Sequence, residues 1–95
     1  MTLNDQYKLL LESYYGIELI DEYELKVYML KQIEEMIIDF KNAYNLDKDN
    51  KIKEYVINKV SEKTKLQSSL ITLNQINGPM DLILLIKKRL KNLQN

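Results

Sequence analysis

The stretch from Asp21 to Tyr44, DEYELKVYMLKQIEEMIIDFKNAY, constrains what this chain can fold into more than any other. Leu25, Met29, Ile33, Met36, Ile37, Phe40 and Tyr44 recur at three- and four-residue spacing, and neither proline nor glycine interrupts them. That periodicity predicts one continuous helix with a broad apolar stripe. At 1.5 Å per residue it spans roughly 35 Å, the width of a small domain, so the other segments are expected to pack against it as a scaffold. The chain's 95 residues make a single domain, 1–95, near the lower size at which one core suffices, and with no cysteine there is no disulfide to staple it. Stability must come from helix packing, or from a partner.

Thr2 followed by Asp5 fits an N-cap with an acid three residues on, opening a short helix through Tyr7, Leu10, Leu11 and Tyr14 that Gly16 is expected to end. Asp21 and Glu24 form a capping-box pattern for the long helix, with Ile20 and Leu25 placed as a hydrophobic staple. Asn45 suits a left-handed closing position. The polar loop DKDN, Asp47 to Asn50, is expected to cap a third helix with its last acid or amide, and that helix carries Ile52, Tyr55, Val56 and Val60 and ends near Lys65. From Leu66 to Asn77, Ser68, Ser69, Thr72 and Asn74 are weak helix formers, and Ile71 and Leu73 alternate with polar neighbours, which predicts a loop or a poor strand. Leu70, Ile71, Leu73 and Ile76 are too apolar for a slack loop and need cover. Gly78 and Pro79 then open a last helix to about Leu93, with Asp81 in its first turn and Lys87, Lys88, Arg89 and Lys91 towards its end, matching the helix dipole. Its run Leu82 to Ile86 is apolar all round, so it must be covered on more than one side, by its own chain or by another subunit. The expected fold is all-α: a small bundle of four helices around one long central helix, with an irregular or partly extended arm before the last helix.

Net charge is zero, which gives no general attraction to nucleic acid. The distribution is uneven: up to Phe40 there are nine acids against three lysines, and beyond it the charges are mostly basic. Either the two halves attract each other within one folded monomer, or the acidic part of one copy meets the basic part of the next. No apolar run approaches the ~20 residues needed to span a bilayer, and the opening MTLNDQYK lacks the pattern of a signal peptide, so the chain is expected to act where it is made, with no membrane partner.

Without histidine or cysteine, the chain lacks the usual general base, the thiol nucleophile and the ordinary zinc ligands. Glu35 and Asp39 stand four apart and read as a solvated acidic face, Asp47 and Asp49 lack the glycine and closing glutamate of a calcium loop, and two glycines cannot build a phosphate loop. An enzyme is not expected, nor a metal or cofactor. Of seven tyrosines, Tyr7, Tyr28, Tyr44 and Tyr55 lie on apolar stripes and read as core rims with hydroxyls reaching water. Tyr14, Tyr15 and Tyr23 cluster and suit either a core rim or a protein interface.

The succession NDQYKLLLESYYG, a brief gap, a long helix opening with DEYEL and carrying QIEEMIIDF, then KIKEYVINKV, an irregular arm, and NGPMDLILLIKKRL resembles the tailed-phage head-to-tail connector proteins, the adaptor or head-completion family that sits below the portal. The likeness covers nearly the whole chain and rests on element order and length, with Gly78 and Pro79 looking like the family's Pro-containing turn into the last helix. It implies a structural virion protein of the neck, present in the host cytoplasm before assembly, without catalysis. It also implies a homo-oligomeric ring of about a dozen copies that docks on the portal, meets the next neck or tail protein and continues the DNA channel. On that resemblance Leu70, Ile71, Leu73, Ile76, Leu82, Leu84 and Leu85 are the subunit or portal interface, and Lys87, Lys88, Arg89 and Lys91 face phosphates of non-specifically held DNA. The rival is a bacteriocin-immunity or antitoxin-like small helical binding protein. A DNA-binding regulator would need a basic recognition helix, and no segment has that character.

Overall fold

The computed structural model describes residues 1–94 and is helical throughout, with five helices among them: α1 (Leu3–Glu18), α2 (Tyr23–Tyr44), α3 (Lys51–Lys59), α4 (Glu62–Gln75) and α5 (Met80–Gln94). Asn95, the end of the basic tail, lies outside the described residues.

Thr2 and Asp5 form the expected reciprocal cap, with Asp5 N–H donating to Thr2 Oγ1 at 3.1 Å and Thr2 N–H to Asp5 Oδ2 at 3.4 Å. Gly16 does not end α1. The helix runs on through it to Glu18, and α4 packs directly on it: a Cβ there would overlap Ser69 Oγ and the backbone carbonyl of Lys65. The glycine supplies space, where the sequence suggested a left-handed turn. The Asp21 capping box is likewise absent; Glu22 holds the N-cap of α2 and its side chain makes no capping hydrogen bond. Asn45 does take the left-handed conformation, at φ 55°, and Leu46 N–H closes back on Lys41 O at 3.0 Å.

The first acid of the DKDN loop caps α3, not the last. Asp47 Oδ1 accepts from Ile52 N–H at 2.8 Å and Oδ2 from Lys53 N–H at 3.1 Å, so one carboxylate meets two of the helix's unpaired donors. The third helix then stops at Lys59. Val60 is extended, and Ser61 starts α4 by accepting from Thr64 N–H at 3.2 Å.

The stretch Leu66 to Asn77, expected as an irregular or partly extended arm, is mostly the body of α4. Leu66, Ser69, Leu73 and Ile76 follow helical spacing, and the small polar residues that argued against a helix are buried with Leu66 and Leu73: Ser68, Ser69 and Thr72. Asn77 ends the turn in the left-handed conformation, at φ 55°, while Gly78 N–H reaches back to Leu73 O at 2.7 Å.

Packing makes α1 the hub. It meets α2, α3 and α4, most extensively α4, while α5 lies on α4 and touches α2. The long α2 therefore does not hold the centre: it buries only Met29 and Ile33, and Leu25, Met36, Ile37 and Phe40 are half-covered. Two apolar clusters result. The larger joins Ile17, Ile20, Met29 and Ile33 to Leu66 and Leu73 of α4 and to Leu82, Ile83, Ile86 and Leu90 of α5. The smaller holds Tyr7, Leu11 and Val56 where α3 lies on the first half of α1, with Ile37 bordering both clusters. The α1–α4 contact between them is polar. Ser13 Oγ lies 2.7 Å from Leu9 O, 2.9 Å from Ser68 O and 2.6 Å from Thr72 Oγ1; with one proton to give, it donates to a carbonyl and accepts from Thr72. Ser69 Oγ is 2.9 Å from both Ser13 O and Lys65 O, and Ser68 Oγ donates to Glu12 Oε1 at 2.8 Å. Among the described residues no buried side-chain nitrogen or oxygen lacks a partner.

Candidate functional site

The helical period of α5 sorts its LILLI run. Leu82, Ile83 and Ile86 turn inward and are buried, Leu85 is half-covered, and Leu84 points away at 54% exposure. An apolar residue left out of an otherwise enclosed run is the kind of position that marks a contact, provided neighbours extend it into a surface. They do so here. Leu84 and Leu85 line an open groove of about 340 Å³ with Leu25 of α2, bounded by Glu22, Asp81 and Lys88. A smaller hollow of about 160 Å³ adjoins it through Glu22, Leu85 and Lys88, and reaches Asp21 and Arg89.

A second concavity opens where α2 and α3 diverge from α1. This cleft, of about 240 Å³, has Tyr7, Leu11, Tyr14, Tyr15, Ile37 and Ile38 in its walls and Glu34, Lys41, Asn50 and Lys53 as its polar members. The Tyr14 and Tyr15 rings meet edge to face with centroids 5.1 Å apart. Tyr7 is 1% exposed and donates its hydroxyl to Asp47 Oδ2 at 3.3 Å, so the α3 cap and the cleft wall share one carboxylate. Burial, and then the Asp47 charge and hydrogen bond, push the Tyr7 hydroxyl up to about 12. Burial also raises Tyr14, with Glu34 adding to it, and raises Tyr15, where Glu18 adds more than Glu34. All three keep their protons at neutral pH; Tyr7 gives its proton to Asp47, and those of Tyr14 and Tyr15 remain available to a partner. Lys41 Nζ donates to Asn50 Oδ1 at 2.9 Å, and its other two protons take no part in that bond.

The residues expected to form an interface are not brought together. Leu73 and Leu82 are fully enclosed by their own chain, and Leu70 and Ile76 pack partly buried against the same cluster. Leu73 and Leu82 are therefore core, a correction that follows from the arm being a helix whose apolar face has α1 and α5 to cover it, while Leu70 and Ile76 sit at the border of that core. Ile71 and Leu84 are exposed, and of the seven only Leu84 and Leu85 share a groove. The basic residues divide similarly. Lys87, Lys88 and Lys91 are exposed, but Arg89 ties the fold together, donating from Nη1 to Leu19 O at 3.2 Å and holding Glu62 Oε2 at 3.7 Å from Nη2.

Tyrosine also departs from expectation. Tyr7, read as a core rim with its hydroxyl in water, is buried with its hydroxyl on Asp47, whereas Tyr28, Tyr44 and Tyr55 are more than half exposed. The cleft was not foreseen as a unit, since its walls come from three helices. The clustered Tyr14 and Tyr15 were the available signal.

Among the described residues there are two ion pairs, Lys51 with Asp49 at 3.5 Å and Arg89 with Glu62 at 3.7 Å. Neither joins an acid before Phe40 to a base after it, so at close range the two oppositely charged halves do not neutralise each other. The described residues contain no cluster of three or more metal-ligating side chains, and no helix among them is long and apolar enough to cross a membrane. No family model matches the chain, and no curated protein or solved structure was found to be similar to it.

Proposed function

We propose that this chain is a structural virion protein of a tailed phage, a head-to-tail connector that assembles into a ring below the portal, meets the next neck protein and continues the DNA channel without catalysis. One observation carries the reading: the open groove in which Leu84 and Leu85 of α5 meet Leu25 of α2, lined besides these leucines by the charged Glu22, Asp81 and Lys88, a mixture suited to a contact surface. The unpaired charge halves add to it, because a subunit with an acidic and a basic part is suited to head-to-tail contacts. Lys87, Lys88 and Lys91, exposed along the same helix, supply the phosphate-facing charge that a channel wall needs. A second reading, a small helical binder of bacteriocin-immunity or antitoxin type, draws on the larger apolar cluster, which the chain closes without a neighbour.

The test is Leu84→Asp, assayed by co-purification with a portal protein and by electron microscopy for rings. The variant should keep the helical circular dichroism and cooperative unfolding of the parent while losing both portal retention and rings. A folded Leu84→Asp protein that still binds portal and assembles refutes the proposal. Parent protein that stays monomeric and ignores the portal while neutralising a single partner supports the binder.

A further inference from the structure

We propose that the tyrosine cleft between α1, α2 and α3 receives the start of α2 from a second copy of this chain, with Tyr23 as the inserted anchor. Tyr23 stands 68% exposed at the first position of α2, and its neighbours Glu22 and Glu24 are also exposed. A large aromatic held out in water between carboxylates has no role within its own fold that the structure shows. The cleft offers the complement: tyrosine and isoleucine walls for a ring, with Lys41 and Lys53 for the carboxylates. Glu34 has the wrong charge for those carboxylates but accepts a hydrogen bond from the incoming Tyr23 hydroxyl, which sets the direction of insertion. Neither lysine forms an ion pair among the described residues.

The donor surface is continuous with the groove described above, because Glu22 lines both the α2 start and the Leu84–Leu85 groove. The inference therefore rests on the reading of that face as an assembly surface, and names what it meets. Donor and cleft are separated along α2 by about 20 Å, so a chain cannot fill its own cleft. Each copy carries one donor and one receptor, so the contact repeats head to tail, into a ring where its rotation closes, or forms twice in a two-fold pair.

Sedimentation of the purified full chain over a dilution series, without portal, tests this. Tyr23→Ala should weaken self-association by roughly tenfold or more, as loss of a central aromatic anchor does. Glu24→Lys and Lys53→Glu should each run as monomer, and mixing the two should restore association, since the introduced base of one chain then faces the introduced acid of the other. Restoration on mixing cannot arise from a change within one molecule. Parent protein that remains monomeric throughout, single variants that associate like the parent, or a mixture that stays monomeric would each overturn the contact. Failure here is separable from failure of the connector reading: Lys53→Glu that assembles normally beside a Leu84→Asp that loses portal leaves the function intact and removes this contact.

Discussion

Substituting Gly16 with alanine probes the close approach of α1 and α4. The added Cβ would overlap Ser69 Oγ, which can rotate, and the Lys65 carbonyl, which is backbone and cannot. So α4 must move off α1. Three terms compete. Alanine gains about 1 kcal/mol over glycine inside a helix. Forcing a methyl into a packed contact costs about 1–3 kcal/mol. Separation also stretches the buried bonds of Ser13, Ser69 and Thr72 across the seam, and a buried hydroxyl left unpaired costs about 1–3 kcal/mol. Taking the middle of each range and a single lost bond, the net destabilisation is about 3 kcal/mol. At ~0.05–0.15 kcal/mol per residue that is roughly a fifth to three fifths of the stability such a chain has. Urea unfolding followed by far-UV circular dichroism should show a lower midpoint with an unchanged slope, and thermal unfolding a Tm lower by roughly 12–24 °C. Gly78→Ala is the comparison, since its Cβ meets only side-chain atoms of Leu73, Cδ2 at 2.6 Å and Cβ at 3.2 Å, and no backbone carbonyl, and it should cost less. If Gly16→Ala unfolds at or above the parent's midpoint, the helices do not approach this closely in solution and the seam is misread.

Asp47→Ala removes both capping bonds of α3 and the partner of the Tyr7 hydroxyl, and should lower stability by about 2 kcal/mol; amide hydrogen exchange should rise first in α3, whose apolar cluster is the smaller one. In the fold, Tyr7 keeps its proton from pH 10 to about 12, whereas the unfolded chain releases it at its ordinary value of 10. The folded state thus binds more protons in that window, and stability falls as pH rises through it. Tyr7→Phe should flatten that alkaline loss in denaturation curves, while costing about 1 kcal/mol at neutral pH for the Asp47 hydrogen bond. An alkaline slope identical in the two proteins would mean that Tyr7 is not the group responsible.

Local chemistry was legible where it depends on neighbours in sequence. The Thr2 and Asp5 cap, the uninterrupted Tyr23–Tyr44 helix and the left-handed Asn45 all follow from residues within a few positions of one another. The α4 stretch was not, because the alternation around Ile71 and Leu73 mimics a strand and serine and threonine are weak helix formers in isolation. What makes them helical is Ser13 and Gly16 on the other side: short side chains let two backbones close in and give each hydroxyl a carbonyl or a second hydroxyl to bond. Ser61 and Thr64, a cap followed by Leu66, Leu70 and Leu73 at helical spacing, were the overlooked signal. The expectation that Arg89 faces phosphates misses its hold on the fold for a related reason, since Leu19 and Glu62 are distant in sequence.

The amino-acid sequence by itself determined that the chain is helical, where its first helix starts, where the long one closes, and that it carries no histidine or cysteine chemistry, because each of these is set by side-chain type and short-range spacing. Only the tertiary structure decided that α1 and not the longest helix is the hub, that Gly16 is a point of contact, and which leucines of the last two helices remain at the surface. A periodicity tells which faces of a helix are apolar; which of those faces find a partner depends on how closely two backbones can approach, and that is a property of residue pairs more than fifty positions apart.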